Sequence, residues 1–189
     1  MSDQAGEGLL SPLLRSRRIA AACGYLQGHV LDYGCGSGAL ASRVDPGRYL
    51  GFEIDAESLE LARLGHPEHR FVDRLEDDSR KFDTVVSLAV IEHAKDPIGF
   101  LRVLAGHLSD APTARVVITT PHPSADWLHD LGATIGLFSK HANEEHEDLL
   151  DREALAAIGT KSHLRIESYS RFMLRCNQIV VYARHGISE

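Results

Sequence analysis

The segment that most limits what this 189-residue chain can become runs from Val30 to Gly38, Val-Leu-Asp-Tyr-Gly-Cys-Gly-Ser-Gly. Val30 and Leu31 read as the end of a buried strand. Asp32 follows, and then Gly34, Gly36 and Gly38 alternate with Cys35 and Ser37 in a loop that carries little side-chain bulk. Glycine tolerates positive φ and lets backbone N–H groups approach a bound molecule closely. Ala39, Leu40, Ala41 and Val44 resume an apolar pattern, which predicts a helix opening out of the loop, its N-terminus favouring a negative ligand group. Asp32 puts a carboxylate beside that loop, suited to a ligand with a cationic amine as well as an anionic end.

Two ligands compete for such a loop. Gly34 to Ala39 also fits the dinucleotide pattern G-x-G-x-x-G/A, with Glu53 standing roughly 20 residues on, where an acid meets a ribose hydroxyl. Asp32, however, repels a pyrophosphate. An amino-acid zwitterion suits both features, its carboxylate on the glycine amides and its ammonium on the acid.

The flanking pattern is strand alternating with helix. Ser11-Pro12 starts a first helix, with Ile19, Ala22, Cys23 and Leu26 at helical spacing, ahead of strand one at 29–33. Strands are expected at 49–54, 70–72, 82–88 and 115–120, and a helix carries Leu59 and Ala62. Ile98, Leu101, Leu104, Ala105 and Leu108 form the clearest helical stripe. A last helix starts at Asp151 with Gly159 as its stop, and 164–172 and 178–183 form a closing antiparallel pair. The expected fold is therefore α/β: a Rossmann-like doubly wound sheet of about seven strands, mostly parallel, with helices on both faces. Residues 1–10 are expected to be a flexible N-terminus and 11–189 one domain.

Composition narrows the partners. A net charge of -7 argues against a large nucleic acid, although Arg15, Arg17 and Arg18 make a local basic patch. No apolar stretch approaches the ~20 residues of a membrane span, and the N-terminus has no basic start followed by an apolar run. Cys23, Cys35 and Cys176 are odd in number and lack CxxC spacing, so a disulfide framework or zinc knuckle is not expected and a cytoplasmic setting is.

Taken together, the loop and several later segments resemble the class I S-adenosylmethionine-dependent methyltransferases, notably the quinone O-methyltransferase group. Tyr49-Leu-Gly-Phe-Glu53-Ile-Asp55 is similar to that family's second-strand motif. Phe82-Asp83, Ile91-Glu92-His93 and Asp96-Pro97 are similar to its fourth-strand segment, and Val116 to Pro121 to its fifth strand. The resemblance implies S-adenosylmethionine as cofactor and S-adenosylhomocysteine as product. It implies that Asp32, Gly34, Cys35, Gly36 and Gly38 hold the methionine moiety. Glu53 would bind the ribose, Ile54 pack on the adenine, Asp73 reach the adenine amine, and Leu88 line the methionine part. Arg15 lies near a helix arginine that related quinone enzymes use. Implied too is methyl transfer to a small molecule, through oxygen, with no metal. The alternatives are a metal-dependent RNA 2′-O-methyltransferase or a non-catalytic cofactor-binding module. RNA 3′-terminal methyltransferases carry Glu-x-x-Glu-His for metal; here Glu92-His93 is present but the earlier position is Ala89.

His93, just past strand four, is the candidate base. The segment 122–150 is irregular and dense in His, Asp and Glu, with Trp127, Phe138, His141 and His146. It is read as a lid or acceptor-binding wall that brings His141 and His146 to the methyl group; a metal site and a solvated acidic loop are the other two options.

Overall fold

Val30–Tyr33 forms β1, hydrogen-bonded in parallel on both edges, to β2 (Tyr49–Phe52) and β4 (Thr84–Leu88). A strand flanked on both sides in a parallel sheet is covered on both faces and reads as a continuous apolar run, as Val30-Leu31 does. The computed structural model describes residues 11–75, 80–125 and 150–185. The expectations for residues 1–10, for most of 122–150, and for His141 and His146 lie outside them. Adding β3 (Arg70–Val72), β5 (Arg115–Pro121), β6 (Leu164–Phe172) and β7 (Asn177–Arg184) gives one seven-stranded sheet of order β3-β2-β1-β4-β5-β7-β6. The β5–β7 and β6–β7 pairs are antiparallel, as the closing hairpin predicts.

Neighbouring residues along each central strand point to opposite faces, so the core divides in two. Leu31, Val85, Val116, Val180 and Tyr182 pack with Leu101 and Leu104 of α3 (Pro97–Gly106) and Leu155 and Ile158 of α4 (Arg152–Lys161). Val30, Val86, Val117 and Val181 pack on the other face with Ile19 and Ala22 of α1 (Ser11–Cys23) and Leu59 and Ala62 of α2 (Ala56–Gly65). Helices thus cover both faces. Three of them are capped by an aspartate that accepts a main-chain N–H: Asp55 from Ser58, Asp96 from Gly99 and Asp151 from Ala154. No helix among the described residues is long and apolar enough to cross a membrane.

Two sequence expectations fail. The helix predicted to follow the glycine loop is absent; Ala41–Arg43 makes a single 3-10 turn and Pro46–Arg48 another. Between Gly38 and Asp45 only residues 39–44 are available, fewer than two helical turns. The proline then holds Asp45 extended (φ -57, ψ 134), and its carboxylate accepts from Gly47 N. The loop therefore has no helix dipole behind it. The second failure is Gly159, which does not stop α4. The helix continues to Lys161, and a Cβ at 159 would stand 2.7 Å from the Tyr182 ring. Gly159 serves helix–sheet contact, not termination.

Gln178, fully buried on β7, holds the two chain ends around the 122–149 segment. Its Nε2 donates to the carbonyls of Pro121 (2.9 Å) and Leu150 (2.5 Å), and its Oε1 accepts from Tyr169 Oη (2.9 Å).

Gly159→Ala should lower stability despite alanine's better helix propensity, because the new methyl overlaps the Tyr182 ring. Overpacking of this kind costs about 1–3 kcal/mol. Urea denaturation should show it, with Gly159→Ala/Tyr182→Leu recovering part of the loss.

Candidate functional site

A cleft of about 630 Å³ opens at the carboxyl ends of β1 and β4, the end of a parallel α/β sheet where ligands bind. Asp32, Gly34, Cys35, Gly36 and Leu88 line its sheet side, Leu14, Arg15, Arg18 and Ile19 of α1 one flank, and Asp55, Ser58 and Leu61 of α2 the other. Its size lies within the range of small-molecule and cofactor pockets, ~300–1,000 Å³. The absence of a full helix after the glycine loop leaves α1 and α2 to form both flanks.

Asp32 is only 2% exposed, and its Oδ2 accepts from Tyr49 Oη at 2.7 Å. Burial pushes its carboxyl up to about 7; the Tyr49 hydrogen bond pulls the other way and the Glu53 charge adds to the rise. A buried carboxylate of this sort is stabilised by an incoming cation.

The glycine loop differs from the expected cradle of outward amides. Gly34 N and Cys35 N both donate to Phe52 O (2.9 and 3.0 Å), Gly38 N to Cys35 O (3.0 Å), and Gly36 N to Glu53 Oε2 (2.9 Å). The amides of Gly34, Cys35 and Gly36 tie the loop to the end of β2 and that of Gly38 closes a turn within it, so these four are turned away from a ligand, and the arginine-bearing flank offers positive charge for its negative end. What the loop contributes instead is bare backbone. At Gly36 (φ +52) a Cβ would meet nothing within 4 Å, whereas at Gly38 it would lie 2.9 Å from Phe71. Gly38 is bare for packing; Gly36 is bare toward the cleft.

Glu53 is half-buried, its Oε1 accepting from Ile54 N (2.8 Å) and Asp55 N (2.9 Å). With Gly36 N on Oε2, three of roughly four acceptor sites of a carboxylate are occupied. Ile54 beside it is 78% exposed, and neither it nor Glu53 is among the residues that line the cleft. Asp73 is exposed beyond β3 and is not among the residues lining the cleft; Leu88 is. The Cys35 thiol turns into the core, where it would be 2.9 Å from a Cβ on Gly51, and burial pushes its pKa up; it donates a long hydrogen bond to Gly36 O at 3.7 Å. His93 is exposed in the 3-10 turn Ile91–His93 that follows β4, outside the cleft lining. Among the described residues, no group of three or more His, Cys, Asp or Glu is placed to hold a metal ion.

Sequence reading missed Tyr49 and Arg18. Tyr49 is paired in register with Val30, and its hydroxyl reaches diagonally to Asp32. The available signal was a hydroxyl-bearing ring at the start of a buried strand, which needs a partner. Arg18 lies three residues after Arg15, on the same helix face. It donates through Nε to Asn177 Oδ1 at 3.0 Å.

Comparison with known proteins completes the site's description. A family model described as methyltransferase domain matches residues 9–169. Ubiquinone biosynthesis O-methyltransferases of two Vibrio vulnificus strains are 29% identical over 107 residues, covering 51% of this chain and 46% of each relative. The chain thus matches about half the length of those curated relatives. Among solved structures, magnesium protoporphyrin IX methyltransferase from Synechocystis PCC 6803, with bound SAH, aligns with TM-score 0.65 at 19% identity, over 92% of this chain and 83% of that one. An S-adenosylmethionine-dependent methyltransferase from Clostridium acetobutylicum ATCC 824 aligns with TM-score 0.66 at 12% identity, over 92% of each chain.

The raised Asp32 carboxyl has a consequence for stability. The folded protein keeps the proton from about pH 4 up to about 7, where the unfolded chain has already lost it, so Asp32's contribution declines as pH rises through that window. Asp32→Asn retains an acceptor for Tyr49 and removes the buried charge. It should match wild type near pH 4 and exceed it by about 2–4 kcal/mol above pH 7, read by denaturant titrations at both pH values.

Proposed function

From the premise that this chain belongs to the class I S-adenosylmethionine-dependent methyltransferases, as its methyltransferase domain over residues 9–169 establishes, we propose that it methylates an oxygen of a small molecule. The observation that carries this reading is the buried Asp32 carboxyl at the base of a cofactor-sized cleft. The curated relatives, O-methyltransferases of ubiquinone biosynthesis, support oxygen as the target atom.

The residues present fit S-adenosylmethionine. Asp32 receives the amino group, losing its raised pKa as it gains a cation. Arg15, on the facing flank of the cleft, receives the carboxylate. The open space at Gly36 admits the chain of the ligand close to the backbone, with Gly34, Cys35 and Gly38 shaping the loop. Glu53 accepts from one ribose hydroxyl at its remaining acceptor site, Ile54 covers an adenine face, Leu88 lines the methionine part, and Asp73 meets the adenine amine. When bound, the cofactor supplies a methyl group already activated by its sulfonium leaving group.

The protein's own task is then mostly positioning. Holding an acceptor oxygen in line contributes roughly 7–11 kcal/mol to such a displacement. A base adds about 10²–10⁴-fold where the acceptor is a hydroxyl. His93 is the proton acceptor of this reading, with His141 and His146 on the 122–150 segment forming the wall over the acceptor.

Titration calorimetry with S-adenosylhomocysteine tests the reading. Binding in the micromolar range is expected, and no binding up to about 1 mM overturns it. Asp32→Asn should weaken binding at least about tenfold, the loss expected for one charge-assisted contact. In wild type, affinity should fall as pH drops below about 7, because protonated Asp32 has to release its proton before it can hold the ammonium. Gly36→Val should also abolish binding, by filling the open space above the loop.

His93→Ala, His141→Ala and His146→Ala should lower turnover and leave S-adenosylhomocysteine affinity unchanged. Turnover unchanged in all three would remove them from the chemistry.

A further inference from the structure

The basic flank of the cleft carries one more charge than the cofactor needs. Leu14, Arg15, Arg18 and Ile19 lie on one face of α1, and the spacing puts two guanidinium groups into the same cleft. S-adenosylmethionine has a single carboxylate, which Arg15 accounts for. Arg18 is left over, and it is the more enclosed of the two.

Its surroundings are those of a built but incomplete site. Nε donates to Asn177 Oδ1 at 3.0 Å, and among the described residues this is the only hydrogen bond of a group with five N–H donors. Burial pushes Arg18's pKa down and the charge of Glu92 opposes that shift, yet the two make no contact ion pair within 4.0 Å. Among the described residues, Glu92 Oε2 and the hydroxyls of Thr119 and Thr120 are buried with no hydrogen bond within 3.5 Å, although the Thr120 hydroxyl stands near enough to Glu92 to favour its charged form. Native proteins seldom leave buried polar groups unmatched. A guanidinium anchored at Nε keeps its two terminal nitrogens as a planar fork, a shape that matches a carboxylate bidentately.

We infer that Arg18 docks a carboxylate of the methyl acceptor, so that the substrate is an acidic small molecule; this rests on the methyltransferase reading above. Asn177 holds the guanidinium at Nε, and Glu92 acts on it through its charge alone. A monoanion matches the single charge of Arg18, and Glu92 nearby, which burial pushes toward its neutral form, disfavours a second negative charge such as that of a phosphate ester. The docked carboxylate is a handle and not the methylated group, because both of its oxygens are engaged by the fork. Methyl transfer goes to a separate hydroxyl on the same molecule.

The experiment uses protein saturated with S-adenosylhomocysteine and titrates benzoate against its uncharged isostere benzamide, followed by NMR chemical shifts. Wild type should prefer benzoate at least about tenfold, the discrimination of a charge-assisted bidentate contact. Arg18→Met should erase the preference, and Arg18→Lys should keep part of it, with S-adenosylhomocysteine affinity changed less than threefold in both. Equal affinity for the two probes, no benzoate binding, or inorganic phosphate displacing benzoate at lower concentration would each overturn the inference. So would a tenfold loss of S-adenosylhomocysteine affinity in Arg18→Met, since the guanidinium would then serve the cofactor. If Arg18→Met does not fold, wild type and Arg18→Lys still decide it. Failure of wild type to bind S-adenosylhomocysteine would instead bring down the methyltransferase reading itself.

Discussion

The hydrogen bond from Tyr49 to the buried Asp32 carboxyl is the contact on which the site depends. It joins two parallel strands and partners an acid that is almost wholly buried at the base of the cleft. Without the tyrosine the carboxyl would have no hydrogen-bond partner among the described residues, and a buried acid in that state is costly. With it, the carboxyl is only partly compensated and its proton is held unusually tightly. An incoming cation completes the compensation. The apo protein therefore carries a local instability that ligand binding relieves, a common arrangement at functional sites.

The glycine loop and Glu53 act as one unit around that acid. Glu53 accepts from Gly36, Ile54 and Asp55, so the end of β2 and the loop after β1 are fastened through a single carboxylate. The loop keeps its shape through bonds of its own, in place of a helix running behind it. That explains how a crossover as short as residues 34–48 still yields an ordered floor for the cleft. It also moves the work of meeting the cofactor's carboxylate from the loop amides to Arg15 on α1. The cleft is thereby polarised, with acids Asp55 and Glu57 on the α2 side and two guanidinium groups opposite.

Much of this was legible in the chain because period and punctuation are local. The strands at 70–72 and 115–120, the stripe from Ile98 to Ala105 and the closing hairpin follow from apolar spacing alone, whereas Leu108, expected on the same stripe, lies past the helix end at Gly106. The helix expected after Gly38 was not, since an apolar pattern does not state whether enough residues remain before a proline to build two turns. Gly159 misled for a related reason. A glycine near a helix end commonly terminates it, and only the approach of Tyr182 reveals that the missing Cβ is about clearance.

By itself the sequence determined an α/β sheet, an acid beside bare backbone at the end of its first strand, and the acid twenty-one residues later at the end of its second. Those are consequences of short-range pattern, in which neighbours along the chain fix local geometry. Tertiary structure decided the rest: that Tyr49 meets Asp32, that Glu53 closes on Gly36, and that Arg18 stands in the cleft braced by Asn177, 159 residues away. Strand register and helix docking are set by packing across the whole core, and no local window of residues contains them.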